Sequence, residues 1–283
     1  MLSVALAGLS GLVWGIGDFA GGKAAQRAAA LPVAWVSKLV SLPLLLVFLL
    51  VTYVPLVPAS LAWGALAGAF GMVGLMLFYR ALSAGAMTVV APVTAVTSAA
   101  IPVVVGLVDG ERPPAVRLAG VACALVAIAL VSLARPEAGQ PVVVTPALVG
   151  WSVLSGAGFA LFFVFTARAS DAATGQAGLW PIGASQLCGL LVGGVLLLVL
   201  RPGGWPRAGS LRWALLAGPL DMTANVLFLL AARQGDLSIV APLGALYPVT
   251  TVVLAMIVDH ERVRSVQVVG LVLAVAALLL VAR

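Results

Sequence analysis

Ten apolar runs divide the chain, each close to the ~20 residues that an α-helix needs to cross a bilayer, and short joints separate them. They lie near residues 3–22, 31–52, 60–82, 87–108, 114–134, 147–168, 178–200, 210–233, 237–258 and 264–282. Nothing is left over for a soluble domain. Composition agrees: 63% of residues are hydrophobic and 8% charged, where a soluble domain carries about 25% charge. The 31 glycines and 17 prolines are tolerable in membrane helices, whose neighbours re-satisfy freed backbone groups. The expected class is an all-α polytopic membrane protein with ten transmembrane helices. The segment MLSVALAGLSGLVWGIGDF has no basic n-region and is read as the first spanning helix, not a cleavable leader.

Several functions are disfavoured early. The net charge of +6 comes from basic residues scattered singly or in pairs, unlike the clustered patch of a nucleic-acid surface. Cys123 and Cys188 each sit in an apolar run and suggest buried thiols, with no disulfide or metal framework. No phosphate-binding GxxxxGK[ST] run occurs. The single histidine, His260, falls in a joint without a nucleophile or metal-ligand set beside it, so neither an enzyme nor a cofactor is expected.

Shifting the chain by 150 residues exposes a repeat. Arg80–Arg112 against Leu230–Arg262 matches at 11 of 33 positions, including Pro92 with Pro242 and the D-x-E-R runs that end each segment. The same shift pairs Trp63 with Trp213, Gly68 with Gly218, Met72 with Met222 and Gly120 with Gly270. Apolar composition inflates chance matches of Ala and Val, but not paired Trp, Pro and D-x-E-R in one register. The units are 1–135 and 147–283, joined by the connection 136–146. Each holds five spans, an odd number, so the second must enter the membrane opposite to the first. Inverted repeats mark secondary transporters, with the binding site near the midplane between the halves.

The chain resembles the EamA-type branch of the drug/metabolite transporter superfamily. The resemblance rests on WGIGDF in the first span, ALSAGAMTVVAP leading into the fourth, and LVDGERPPAVRLAG matched by IVDHERVRSVQVVG at the repeat ends. It implies ten helices, with helices 1, 3, 4, 6, 8 and 9 around a central cavity and 5 and 10 outside. It also implies a cell-membrane location with both termini cytoplasmic. The basic residues disagree: with the N-terminus inside, five Lys or Arg face inward and nine outward, against the positive-inside rule.

Ionisable groups at membrane depth are costly and mark functional sites. Asp18, Lys38 and Asp221 qualify. Asp18 lies near the end of the first span and Lys38 near the start of the second, at similar depth, so an Asp18–Lys38 ion pair is expected, either structural or coupling. Asp221 has no evident partner and suits a proton carrier or an anchor for an amine, with Asn225 one turn on. Trp14 shares a helix face with Asp18, and an aromatic ring beside a carboxylate can hold a cationic amine. Tyr79, Thr94, Ser98, Tyr247 and Thr251 are further substrate-binding candidates, although membrane hydroxyls equally serve as interhelical bonds. Pro92 and Pro242 can kink matching helices, as gates or as fixed bends. Glu111 and Glu261 read as helix-end caps or ion pairs.

The pattern therefore points to a secondary transporter of the cell membrane. Its expected role is to export small amphipathic metabolites such as amino acids or amines by alternating access, with possible proton coupling and the lipid bilayer as its medium. The alternatives are efflux of lipophilic cations or drugs, or a lipid-handling or structural membrane protein.

Overall fold

The computed structural model describes residues 1–52, 54, 56–84, 87–133, 145–172, 178–260 and 264–283, with 79, 82–84, 87 and 88 described by backbone alone. The Tyr79 side chain, Glu261 and nearly all of the 136–146 connection thus lie outside the described residues. What is described is helical, without strands. In chain order the helices are α1 (Leu2–Ala25), α2 (Ala30–Val40), α3 (Leu42–Val51), α4 (Pro58–Ala84), α5 (Met87–Val108), α6 (Ala115–Val131), α7 (Pro146–Asp171), α8 (Trp180–Leu200), α9 (Ala208–Ala232), α10 (Leu237–Gly244), α11 (Tyr247–Val258) and α12 (Ser265–Val281). Eight spans among the described residues are long and apolar enough to cross a membrane, counting α2–α3 and α10–α11 as one span each. The fifth and tenth expected spans are shorter. Helices α6 and α12 have 17 residues each, about 25 Å at 1.5 Å per residue. Helix α6 starts directly after its N-cap Pro114, which disfavours helical backbone at the residue before it.

Two expected spans are broken, each just ahead of a proline. Pro43 lies in the first turn of α3, and the chain turns at Ser41. Pro248 lies in the first turn of α11, after a turn at Ala245–Leu246. A proline supplies no N–H to the carbonyl four residues back, so Leu39 and Gly244 lose their helical donors. The breaks fall at other prolines than the matched pair Pro92 and Pro242, which lie inside α5 and α10. Pro92 sits inside the unbroken α5, and the break near Pro242 belongs to Pro248, whose counterpart in the first half is Ser98.

The halves exchange their contacts. Ser155 of α7 donates to the Gly74 carbonyl of α4 at 2.9 Å, and Ser10 of α1 donates to the Ala224 carbonyl of α9 at 2.9 Å. Gly68 lies against the Ser185 carbonyl, and its counterpart Gly218 against the Ser37 carbonyl. Gly156 faces the Thr94 carbonyl, and Gly11 faces that of Gly244. Helices α6 and α12 cross on their own relation: Gly120 packs on Leu280 and Val281, and Gly270 on Leu130 and Val131. Low numbers meet high ones, so α6 and α12 run antiparallel. At the helix ends, Arg168 pairs with Asp109 at 2.7 Å, and Lys23 pairs with Asp259. Ridges of small residues allow this close approach without a hydrophobic drive.

One feature is not exchanged. Every residue of α10 is buried. Of its counterpart segment 87–94 in α5, Val89, Ala91, Pro92 and Val93 retain exposure. The N-terminus of α10 is capped by the other half: the Glu111 carboxylate accepts from the Leu237 N–H at 2.7 Å and the Ser238 N–H at 2.9 Å. An acid at a helix N-terminus satisfies orphan donors and complements the helix dipole. Gly106 leaves the room, since a Cβ there would collide with the Glu111 carboxylate.

Candidate functional site

Helix α1 sets out the geometry. Leu2, Leu9 and Leu12 are its exposed leucines. At about 100° per residue, Asp18 lies roughly 120–180° around the helix from them, on the face of Trp14. Asp18 is nevertheless exposed. Its accessible surface therefore faces away from the side that carries the exposed leucines. Asp18 lies within electrostatic reach of Asp221 on α9 and of Tyr247 on α11.

Asp221 gathers the rest. Trp14 donates its indole N–H to Asp221 Oδ1 at 3.2 Å, and Lys38 Nζ stands 3.7 Å from Oδ2. The expected pairing of Lys38 with Asp18 is thus corrected: among the described residues, the ion pair of Lys38 is with Asp221. The reason is packing, because α2 lies along α8 and α9 and directs Lys38 to them. Asp221 accordingly has the partner that the sequence did not reveal.

Gln186 of α8 was missed. Its amide donates to the Lys38 carbonyl at 2.7 Å and to Ser41 Oγ at 2.5 Å, beside the α2–α3 break. Its Oε1 accepts from Lys38 Nζ at 3.3 Å. The available signal was a lone amide in an apolar run.

Aromatic rings pack against Trp14. Trp14 packs edge-on to Phe163 at 5.6 Å and against Phe228 at 5.8 Å, and Phe163 and Phe228 are 4.8 Å apart. Positions equivalent to the charged groups are uncharged. The paired contacts of Ser10 with Ser155 and of Ser37 with Ser185 set the registers of these helices, so that Phe163 corresponds to Asp18 and Gln186 to Lys38, while the 150-residue shift pairs Gly71 with Asp221.

The serine and threonine candidates are committed to backbone. Thr94 donates to the Ser152 carbonyl at 3.1 Å, Ser98 to Ala95 at 2.8 Å, and Thr251 to Gly15 at 3.0 Å and Tyr247 at 3.2 Å. Asn225 donates to the Asp221 carbonyl at 2.5 Å, within its own helix. Pro92 borders an apolar depression of about 320 Å³ with Val93, Val96 and Thr97. Pro242 is buried in α10. No grouping of His, Cys, Asp and Glu fit for a metal ion occurs among the described residues.

The sequence profile of the EamA-like transporter family matches residues 1–133 and again residues 147–283. The chain belongs to the EamA-like transporter family. Its general activity follows: movement of small molecules across a membrane, in a family of transporters and not of enzymes. A solved crystal structure shares the fold at 14% identity, with a TM-score of 0.78 over 99% of this chain and 98% of the other. No curated protein matches.

Proposed function

We propose that this EamA-like chain is a secondary transporter that exports small amphipathic metabolites, with amino acids or related amines as the substrate class. Two inverted five-helix units rock about a site at Asp221, Asp18, Lys38 and Trp14. The observation that carries this reading is Asp18: an ionisable residue on the inward face of a membrane helix that still has accessible surface. Ionisable groups at such depth mark substrate or ion pathways, and broken helices beside them recur at transporter sites. Alternating access is supported by the unequal ends, α10 buried under the Glu111 cap and its counterpart in α5 half-exposed.

Two carboxyls against one ammonium, beside the aromatic rings packed on Trp14, favour a second reading: efflux of lipophilic organic cations. A proton can occupy the same carboxylates, which provides a route to proton coupling.

The test is flux in liposomes. Purified wild type and Asp221→Asn are reconstituted and assayed for uptake of amino acids, amines and cationic dyes across a pH gradient. The variant keeps the shape of the acid and removes its charge. Loss of flux at intact folding supports the site. Equal flux at equal pH dependence in both proteins overturns the role of Asp221.

A further inference from the structure

We infer that Lys38 is a tethered counter-cation that competes with the substrate's positive charge for Asp221 and thereby sets which substrates the site accepts. This rests on the reading of Asp221 as the substrate carboxylate. The two oxygens of Asp221 are not equivalent. Oδ1 is engaged by the Trp14 indole at 3.2 Å, and Oδ2 is the oxygen 3.7 Å from Lys38 Nζ. An ammonium arriving from outside must therefore displace Lys38 from Oδ2 or share that oxygen with it.

The structure also provides a place for the displaced ammonium. Gln186 is 3% exposed, and its amide nitrogen is used twice, on the Lys38 carbonyl and on Ser41 Oγ. That fixes the orientation of the side chain and leaves Oε1 directed at Lys38 Nζ, 3.3 Å away. Lys38 thus has a charged acceptor that a substrate can claim and a neutral one that remains. Its aliphatic stem lies against Gly189, with Cε 3.5 Å from a Cβ placed there, and Nζ stands near both acceptors, so a short rotation of the last bonds exchanges them. In the empty carrier Lys38 neutralises Asp221. In the loaded carrier the substrate cation takes over, and Lys38 rests on Gln186. Because Lys38 stays in the site on Gln186, loading adds the substrate's positive charge to it.

Selection follows from the competition. A weakly basic or neutral solute has no means of displacing Lys38, whereas a full ammonium does. A zwitterion gains nothing lasting from Lys38, because Gln186 holds the released ammonium.

Binding of two probes, phenethylamine and phenylalanine, to full-length protein in detergent tests this. Lys38→Met removes the competitor, and Gln186→Glu draws Lys38 away from Asp221 while leaving it in place. Both variants should bind phenethylamine about tenfold more tightly than wild type, a gain of about 1.4 kcal/mol, and Lys38→Met should also tighten phenylalanine. Since Gln186→Glu retains Lys38, it keeps the test open where Lys38→Met folds poorly. Unchanged or weaker phenethylamine binding, in a protein whose Asp221→Asn form loses it, overturns the role of Lys38 alone. Loss of phenylalanine but not phenethylamine in Lys38→Met also overturns it, because Lys38 then holds the substrate carboxylate. Absence of binding in wild type and all variants overturns both the competition and the site beneath it.

Discussion

The ammonium of Lys38 and the carboxylate of Asp221 stand 3.7 Å apart on α2 and α9, and both keep accessible surface, 22% and 39% of their side chains. Contact with water weakens such a pair, and exposed pairs contribute about 0–1 kcal/mol. A double-mutant cycle of Lys38→Met and Asp221→Asn should therefore show a coupling of that order in thermal unfolding. A coupling of about 3 kcal/mol or more would identify a dry structural pair and count against a site that opens to solutes.

Glu111 joins the end of α5 to the start of α10 through two backbone N–H donors. Glu111→Gln removes the charge and leaves one acceptor oxygen, at a cost of about 1–2 kcal/mol for charge-assisted bonds. The α10 end should open more often. Ser238→Cys, buried at that end, should react with a membrane-impermeant maleimide several-fold faster in the Glu111→Gln background. Unchanged labelling would make the cap a static brace.

Gly68 and Gly218 abut carbonyls of neighbouring helices, those of Ser185 and Ser37. A methyl group at either must push two helices apart, at about 1–3 kcal/mol. Gly68→Ala and Gly218→Ala should each lower Tm by several degrees, and by similar amounts, because the two contacts are equivalent. Gly150→Ala is the control: nothing lies within 4 Å of its Cβ position, and its Tm should not fall. Unequal losses at Gly68 and Gly218 would break the equivalence of the halves.

Much of this architecture was legible in the residues. Apolar runs of spanning length and the D-x-E-R pairs gave the helices and the relation between halves, because both are local patterns. Trp14, Asp18 and Asp221 were singled out because charge and aromatic residues at membrane depth are conspicuous. The partner of Lys38 was not legible. Equal depth made Asp18 plausible, but depth says nothing about which helix lies on which side, and α2 packs along α8 and α9. Gln186 was hidden for the same reason, since its meaning lies in a partner 148 positions away. The break before Pro248 was missed because Pro242 drew attention as the matched residue. Thr94, Ser98 and Thr251 look like site residues in sequence, yet Thr94 and Thr251 donate to carbonyls of other helices that only the packing supplies, and Ser98 donates back into its own helix.

Lys38 and Gln186 hold equivalent places in the two halves, and each reaches the other: Lys38 lies against Gly189, and Gln186 bonds Ser41, the counterpart of Gly189. Residues so related face each other across the axis that exchanges the halves. In a dimer of identical five-helix chains, any residue at that place would have to meet its own copy. Two lysines there would repel, and two glutamines could only clasp each other. Joining both units in one polypeptide lifts that restriction. A single positive charge at the centre of the bundle, with an amide as its mirror image, is an arrangement open only to a chain whose halves are free to differ.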